Sequence, residues 1–494
     1  MEKYFNYIDG KWKESCTDER FENRNPANWD EVVGTFPRSN ADDVDEAVKS
    51  ARSAFNDWRL TPAPKRGDIL RRVGDLMTER KEEIARLMTR EMGKILDETR
   101  GDVQEGIDTA YYAASEGRRL FGHNAPSELP DKMNLSIRIP IGVAGIITPW
   151  NFPMAIPTWK IFPALVCGNC VVFKAASDTP ATAAKFIEIL LEAGIPPKVV
   201  NIVHGTGSSV GMPLVKHPDV DLISFTGSSS VGKIINSEAG KDLKRVSLEL
   251  GGKNAQIVMD DADQDLAIDG ALWGAFGTTG QRCTATSRLI LHEKIFDEFM
   301  NKLIDRTEQL KLGSGLDESV NVGPCVNEGQ RETIEKYVEI GRNEGATLAC
   351  GGERSEEGDL AKGFFYKPTI FTGVTPEMTI AREEIFGPVL SVLKFKTLDE
   401  AIAILNNTIY GLSSSIYTRD VNSAFKAIRD IEAGITYING PTIGAEAHMP
   451  FGGVKETGNG HREGGWEVYD FYTETKTVYV DFSGVLQRAQ IDNY

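Results

Sequence analysis

A chain of 494 residues is longer than one hydrophobic core normally organises, so two or three domains are expected. With 72 acidic against 55 basic side chains, a net charge of −17 and a pI near 5.0, nucleic acid and anionic membrane are excluded as main partners. The 41% hydrophobic and 26% charged content is that of an ordinary soluble globular protein, and six cysteines in such a length form no disulfide framework, which points to a reducing cytoplasm.

The amino terminus, Met1 to Tyr7, has no apolar stretch of the signal-peptide kind. Residues 41–118 read as consecutive amphipathic helices. Asn40 or Asp42 can cap the first, and Val44, Ala47, Val48, Ala51 and Phe55 recur at helical spacing. Met133 to Ile139 alternates as a strand does. The most apolar segment, Ile139 to Pro157, is broken by Pro140, Pro149, Pro153 and Pro157 and cannot form a regular membrane helix.

From Ile141 onward, apolar runs alternate with helical stretches. Strands are expected at 143–147, 171–174, 199–203 and 222–226, with helices at 180–193 and 206–216, the pattern of a doubly wound α/β domain. A second α/β series follows Cys283, with strands at 287–291 and 389–393 and helices at 294–310 and 328–344. Residues 476–482 alternate like 133–139. Paired together, these two segments make a small sheet with open edges, which predicts a homo-oligomer.

Several motifs need weighing. Cys167 and Cys170 have CxxC spacing but lie in apolar surroundings, with no second CxxC and no HExxH, so two buried small residues are expected and no metal. Gly227 to Lys233 matches GxxxxGK after a strand. Ile234 stands where a P-loop NTPase needs Ser or Thr for magnesium, which disfavours that reading, although amides at a helix start still suit a pyrophosphate. Residues 204–211 give GxGxxxG and read as a tight turn rather than a dinucleotide grip.

The most informative residues are Glu249, within Leu248 to Lys253, and Cys283, after Gly280-Gln281-Arg282. A thiolate attacks electrophilic carbon, and a carboxylate among apolar residues and glycines has a raised pKa and acts as a base near neutrality. The alternatives are one ordinary cysteine among six and a strand-end surface acid.

Taken in order, Pro149-Trp150-Asn151-Phe152-Pro153, Phe173-Lys174, Phe225-Thr226-Gly227-Ser228, Glu249 to Lys253, Gly280 to Cys283, Glu383 to Pro388 and Pro450 to Lys455 resemble the NAD(P)-dependent aldehyde dehydrogenase superfamily. The likeness runs from about residue 5 to 482. It implies an aldehyde dehydrogenase-like α/β fold: a doubly wound cofactor domain (1–120 and 141–250), an α/β catalytic domain (251–450) and a small β oligomerisation arm with its tail (121–140 and 470–494). A tetramer is implied over a dimer.

The same resemblance implies roles for named residues. Cys283 would form a thiohemiacetal and then a thioester, Asn151 and the Cys283 N–H would hold the oxyanion, and Glu249 would activate the hydrolytic water. Lys174 would contact the adenosine ribose and phosphate, Ser228 the pyrophosphate, and Glu384 the nicotinamide-side ribose, with Phe386 near the ring. Further cofactor contacts are implied at Ile147, Thr148, Pro149 and Trp150, at Gly207 and Gly211, at Phe225, Thr226, Gly227 and Val231, and at Leu250 and Gly251. Ser177 stands three places past Lys174, where strictly NAD-dependent members often carry glutamate. It removes a repulsion toward a 2′-phosphate and offers a donor, so use of NADP as well as NAD is expected.

Residues 441–446 and 483–490 look closest to the α-ketoglutarate semialdehyde (2,5-dioxopentanoate) and aminoadipate semialdehyde branches. A carboxylate-bearing semialdehyde is the expected substrate, with Arg282 pairing with its distal carboxylate or, alternatively, a helix-end arginine satisfied by a protein acid, and with Ile443, Gly444, Ala445 and Phe451 around the aldehyde. Neutral aliphatic or hydroxy-aldehydes are the alternative, and a catalytically silent member of the fold is a further one. Lys160 and Glu463 match a pair linked to proton exit in the family; read alone, each is a surface salt-bridge member.

Overall fold

A computed structural model describes residues 2–492. Val143–Ile147, Cys170–Lys174, Val200–Ile202 and Leu222–Thr226 are apolar runs without alternation, and nearly every residue in them is buried. Strands apolar on both faces require cover on both faces, which a parallel sheet between helical layers supplies. They lie parallel in a seven-stranded sheet with Arg245–Glu249, and two antiparallel amino-terminal strands, Asn6–Ile8 and Lys11–Lys13, complete one edge. The chain builds outward from Val143–Ile147 in one direction, then returns to add Leu222–Thr226 on its other side. The order reverses between these two strands, so a crevice opens beyond their carboxyl ends, at Thr148 and Gly227.

A second seven-stranded sheet comprises, in order, Thr347–Cys350, Thr369–Thr372, Val389–Phe395, Arg288–His292, Ala255–Val258, Ser413–Tyr417 and Ile435–Ile438. Only Thr347–Cys350 pairs antiparallel. Glu249 ends a strand of the first sheet and Ala255 begins one of the second, five residues intervening at 250–254. The carboxyl edge of one sheet therefore faces the amino edge of the other.

The helical region holds Ala41–Leu60, Ala63–Glu79, Lys81–Met92 and Leu96–Glu116. Asn40 caps the first in a capping box with Asp43. Asp102, fully buried in the fourth helix, accepts Lys94 Nζ at 2.7 Å and the Ala155 N–H at 2.7 Å. It thereby fixes the start of Ala155–Cys167, a helix buried on every side. Cys167 and Cys170 are both free and buried. The helix expected at 206–216 forms as a wide helical turn at Gly207–Gly211, capped by Thr206 and continued by Met212–Lys216, so the reading of 204–211 as a tight turn is corrected. The capping hydroxyl outweighs two glycines that would otherwise favour a turn.

Lys132–Pro140 and Thr473–Asp481 pair antiparallel over nine residues, from Thr473 opposite Pro140 to Asp481 opposite Lys132, and Asn124–Pro126 extends the sheet on one side. Thr473–Asp481 forms the other edge, with Tyr479 65% exposed. Asn493 and Tyr494, the end of the expected tail, lie outside the described residues. Residues 451–469, left between two of the expected units, return across the first sheet, and Tyr469, Phe471 and Tyr472 enter its core. Among the described residues no helix is long and apolar enough to cross a membrane.

Asp102→Ala should destabilise the protein by about 3–5 kcal/mol, because it leaves the Lys94 ammonium buried and unpaired. Urea unfolding measures this directly; a loss below 1 kcal/mol, about the value of an exposed pair, would contradict it.

Candidate active site

The helix Gln264–Phe276 stops at Gly277, and the next residues take backbone conformations that L side chains resist. Thr278 and Thr279 have φ of 54° and 57°, and Gly280 has φ of 66° where a Cβ would lie 2.2 Å from the Gly387 carbonyl. Non-glycine residues in this region cost about 1–3 kcal/mol each unless surroundings enforce them. Here the Thr278 N–H donates to Glu98 Oε1 at 2.6 Å, Thr279 Oγ1 to the Gly323 carbonyl at 2.9 Å, and the Val326 N–H to Gln281 Oε1 at 3.0 Å. The product of this forced bend is a partly exposed Cys283 that opens on two cavities, of about 660 Å³ and about 250 Å³.

Glu249 reaches the wall of the larger cavity from the carboxyl end of its strand. It is 3% exposed, and neither carboxylate oxygen has a hydrogen-bond partner among the described residues. Gly452, with φ of 149°, permits this approach, since a Cβ there would come within 2.6 Å of Glu249 Oε1. Burial, reinforced by Glu463, holds the Glu249 pKa well above the ordinary carboxylate value, while Lys160 and Arg462 temper the rise. Burial also pushes the Cys283 thiol up to about 12, with Glu384 and Glu249 adding to it and the N–H groups of Thr284 and Cys283 opposing it.

Asn151 is 2% exposed; its Nδ2 donates to the Gln281 carbonyl at 3.1 Å and its Oδ1 has no partner among the described residues. Thiol, acid and amide are thus brought together from three distant parts of the chain. Ile443, Gly444, Ala445 and Phe451 line the larger cavity, where Trp159, Leu412 and Phe451 form an apolar cluster against Cys283.

Arg282 lines the same cavity, with Nε donating to Thr278 Oγ1 at 2.9 Å and one terminal nitrogen meeting Glu98 at 3.2 Å. The protein acid expected as a competitor for this side chain is therefore Glu98. The Arg282 guanidinium also lies over Phe152 and Trp273, and its other terminal nitrogen has no protein acceptor among the described residues.

The narrower cavity lies at the crevice beyond the first sheet. Pro149, Trp150, Thr226, Gly227, Ser228, Leu250, Gly251, Glu384 and Phe386 line it. Gly251 is essential to its shape, because a Cβ would fall 2.2 Å from Glu384 Oε2. The Gly252 N–H donates to Glu384 Oε1 at 3.0 Å, and burial lifts the Glu384 pKa to about 7. Phe386 meets Trp150 edge-on at 5.4 Å, and Ser228 caps the helix Ser229–Gly240. Lys174 ends its strand with Nζ lacking a protein acceptor among the described residues, and burial lowers its pKa to about 8.

Ile147, Thr148 and Phe225 are buried at the same sheet edge. Val231 is 42% exposed on the following helix, and Gly207 and Gly211 line neither cavity. The Ser177 hydroxyl, expected as a phosphate donor, donates to the Gly205 carbonyl at 3.1 Å, so its proton is engaged within the protein. Lys233 pairs with Glu456 at 2.6 Å on the surface.

Lys160 and Glu463 form no surface bridge. They pair at 2.7 Å with both side chains almost fully buried, and Ser224 and Ser247 bond the same Glu463 oxygen. A lysine inside the apolar helix Ala155–Cys167 gave a sequence signal for burial. Gln330 also lines the narrower cavity, with Nε2 donating to the Phe386 carbonyl at 2.8 Å, and nothing local in the sequence distinguishes it, Asn254 or Glu98 from ordinary polar residues.

The sequence pattern of the aldehyde dehydrogenase family matches residues 12–478. The chain is 44% identical over 477 residues to an alpha-ketoglutaric semialdehyde dehydrogenase of Bacillus subtilis (strain 168), covering 97% of this chain and 98% of that one. It is 42% identical over 482 residues to a 2,5-dioxopentanoate dehydrogenase of Saccharolobus solfataricus, covering 97% and 99%. A crystal structure of betaine aldehyde dehydrogenase from Staphylococcus aureus in complex with NAD+ superposes with a TM-score of 0.95 at 37% identity, covering 98% of this chain and 95% of that one. The chain belongs to the aldehyde dehydrogenase family.

It is an NAD(P)-dependent aldehyde dehydrogenase, and its residues fit such a cofactor. Lys174 brings a free buried ammonium to the carboxyl edge of the first sheet, and the narrower cavity beside that edge is lined by Gly251 and by the Glu384 carboxylate facing it from the second sheet's side. In this aldehyde dehydrogenase, the raised thiol pKa leaves Cys283 protonated at neutral pH, and thiolate accumulates as pH rises. Iodoacetamide labelling of the Cys283 peptide, followed by mass, should therefore accelerate about tenfold per pH unit from pH 7 to 10. A plateau below pH 9 would contradict the buried, acid-flanked thiol.

Proposed function

We propose that this enzyme oxidises a carboxylate-bearing semialdehyde, of the 2,5-dioxopentanoate kind, to the corresponding acid through covalent catalysis at Cys283. The observation that carries the reading is one thiol opening on two cavities, with an unpartnered buried acid in the wall of the larger. The sulfur adds to the aldehyde carbon, and the thiol proton passes to Glu249. The carbonyl oxygen becomes an oxyanion, which takes hydrogen bonds from Asn151 Nδ2 and the Cys283 N–H. NAD(P), held by the residues lining the narrower cavity, would accept the hydride that leaves the former aldehyde carbon.

The acyl group remains on Cys283 as a thioester. The proton that Glu249 took from the thiol leaves by the Lys160–Glu463 pair, which acts electrostatically on Glu249. Glu249 then takes a proton from the attacking water, the C–S bond breaks, that proton passes to the departing sulfur, and acid and thiol are released. Arg282 presents its unoccupied terminal nitrogen to the distal carboxylate while Glu98 and Thr278 hold the rest of the guanidinium. Near-full-length likeness to two semialdehyde dehydrogenases supports this substrate class.

The cofactor reading is NAD or NADP. Ser177 brings no carboxylate to repel a 2′-phosphate, and Lys174 supplies the only cation proposed for it. The bare edge at Thr473–Asp481 supports a homo-oligomer, a tetramer rather than a dimer, and the six free cysteines support a reducing cytoplasm.

The test is reduction of NAD and of NADP, followed by absorbance, across acidic and neutral aldehydes. Cys283→Ser should abolish turnover while leaving cofactor binding intact. Arg282→Ala should cut the preference for acidic over neutral aldehydes at least about tenfold. An unchanged preference would remove Arg282 from the proposal, and turnover by the serine variant would remove the mechanism.

A further inference from the structure

The backbone around Cys283 is held by side chains from segments distant in sequence. Asn254, 3% exposed, precedes the strand Ala255–Val258. Its Nδ2 donates to the Cys283 carbonyl at 2.7 Å and to the Ala285 carbonyl at 3.0 Å, and its Oδ1 accepts the Ser413 N–H at 2.9 Å. Gly252 leaves room for this arrangement, since a Cβ there would stand 2.5 Å from the Cys283 carbonyl oxygen. The neighbouring peptide is held separately: Thr442 Oγ1 donates to the Thr284 carbonyl at 2.6 Å and shares a hydrogen bond with Thr286 Oγ1 at 2.8 Å.

A trans peptide unit is planar, and its C=O and N–H point in opposite directions. Fixing the Cys283 carbonyl therefore fixes the direction of the Thr284 N–H. We propose that Asn254 is a positioning residue which, by gripping the Cys283 carbonyl, aims the Thr284 N–H at the Cys283 sulfur. A hydrogen bond to an anion is worth more than one to a neutral group, so a donor aimed at sulfur favours the thiolate. This N–H and that of Cys283 itself are the groups that lower the thiol pKa, against burial, Glu384 and Glu249. Arg282 is adjacent in sequence, but Glu98 and Thr278 engage its guanidinium.

The proposal rests on Cys283 being the nucleophile. The experiment measures the rate of iodoacetamide labelling of the Cys283 peptide at fixed pH, on the rising part of the pH profile. Asn254→Ala should slow labelling about tenfold, equivalent to a rise of about one pH unit in the thiol, and should lower kcat with little change in KM for the aldehyde. Gly252→Ala, whose Cβ would crowd both the same carbonyl and the Asn254 amide that grips it, should act in the same direction and decides the matter if the first variant does not fold. Thr442→Val, which releases only the following peptide, should slow labelling less than either.

Unchanged labelling in a folded Asn254→Ala or Gly252→Ala, or an equal loss in Thr442→Val, would overturn the proposal. Failure of the catalytic reading would appear elsewhere, as turnover by Cys283→Ser, because labelling rates do not depend on turnover.

Discussion

The five residues at 250–254 carry the chain from one parallel sheet to the next, and the active-site geometry depends on that short crossing. So brief a link presses the carboxyl edge of the first sheet against the amino edge of the second. The crevice at the first edge faces Glu384 and Phe386 from the second body, while the bend ending at Cys283 looks back toward Glu249. Two glycines make the contact sterically feasible: Gly251 against the Glu384 carboxylate and Gly252 against the Cys283 carbonyl. Any side chain at either place would have to displace a group that borders the reaction centre.

That closeness has an electrostatic consequence. Burial raises the pKa of both Glu249 and Cys283, and the Glu249 carboxylate raises that of the thiol further. The pair therefore favours a single negative charge, and a proton passing from sulfur to carboxylate relocates that charge without adding a second. Lys160 and Arg462 lower the Glu249 pKa, so the acid is not locked in its neutral form. Charge delivered to Glu249 has a buried neighbour in the Lys160–Glu463 pair, whose Glu463 Oε2 has no partner among the described residues.

The amino-acid sequence made much of this legible. Apolar runs without alternation marked the parallel strands, and the alternation at 133–139 and 476–482 marked the two segments that pair as a separate sheet. Glu249 and Cys283 could be singled out because carboxylates and thiols in such surroundings have few structural uses. The grip of Asn254 on the Cys283 carbonyl could not be read, since an asparagine before a strand looks like any turn residue. The hold of Glu98 on Arg282 was hidden for a related reason: the partners are 184 positions apart, and helical periodicity does not say which acid faces which base. Ser177 shows the converse limit, where a plausible phosphate donor has spent its proton on the Gly205 carbonyl.

The central claim is that acid and thiol act on the same acyl group, the thiol forming the ester and the acid clearing it. Glu249→Gln keeps the shape of the side chain but cannot take a proton from water. Mixed with aldehyde and NAD(P), that variant should form about one reduced cofactor per subunit, more slowly than the parent because the thiol must lose its proton to water instead, and then stall, the signature of acyl-enzyme accumulation. Intact-mass measurement at the plateau should show the acyl group added to the protein and absent when Cys283 is replaced. Rapid multiple turnover by Glu249→Gln with no added mass would contradict the account.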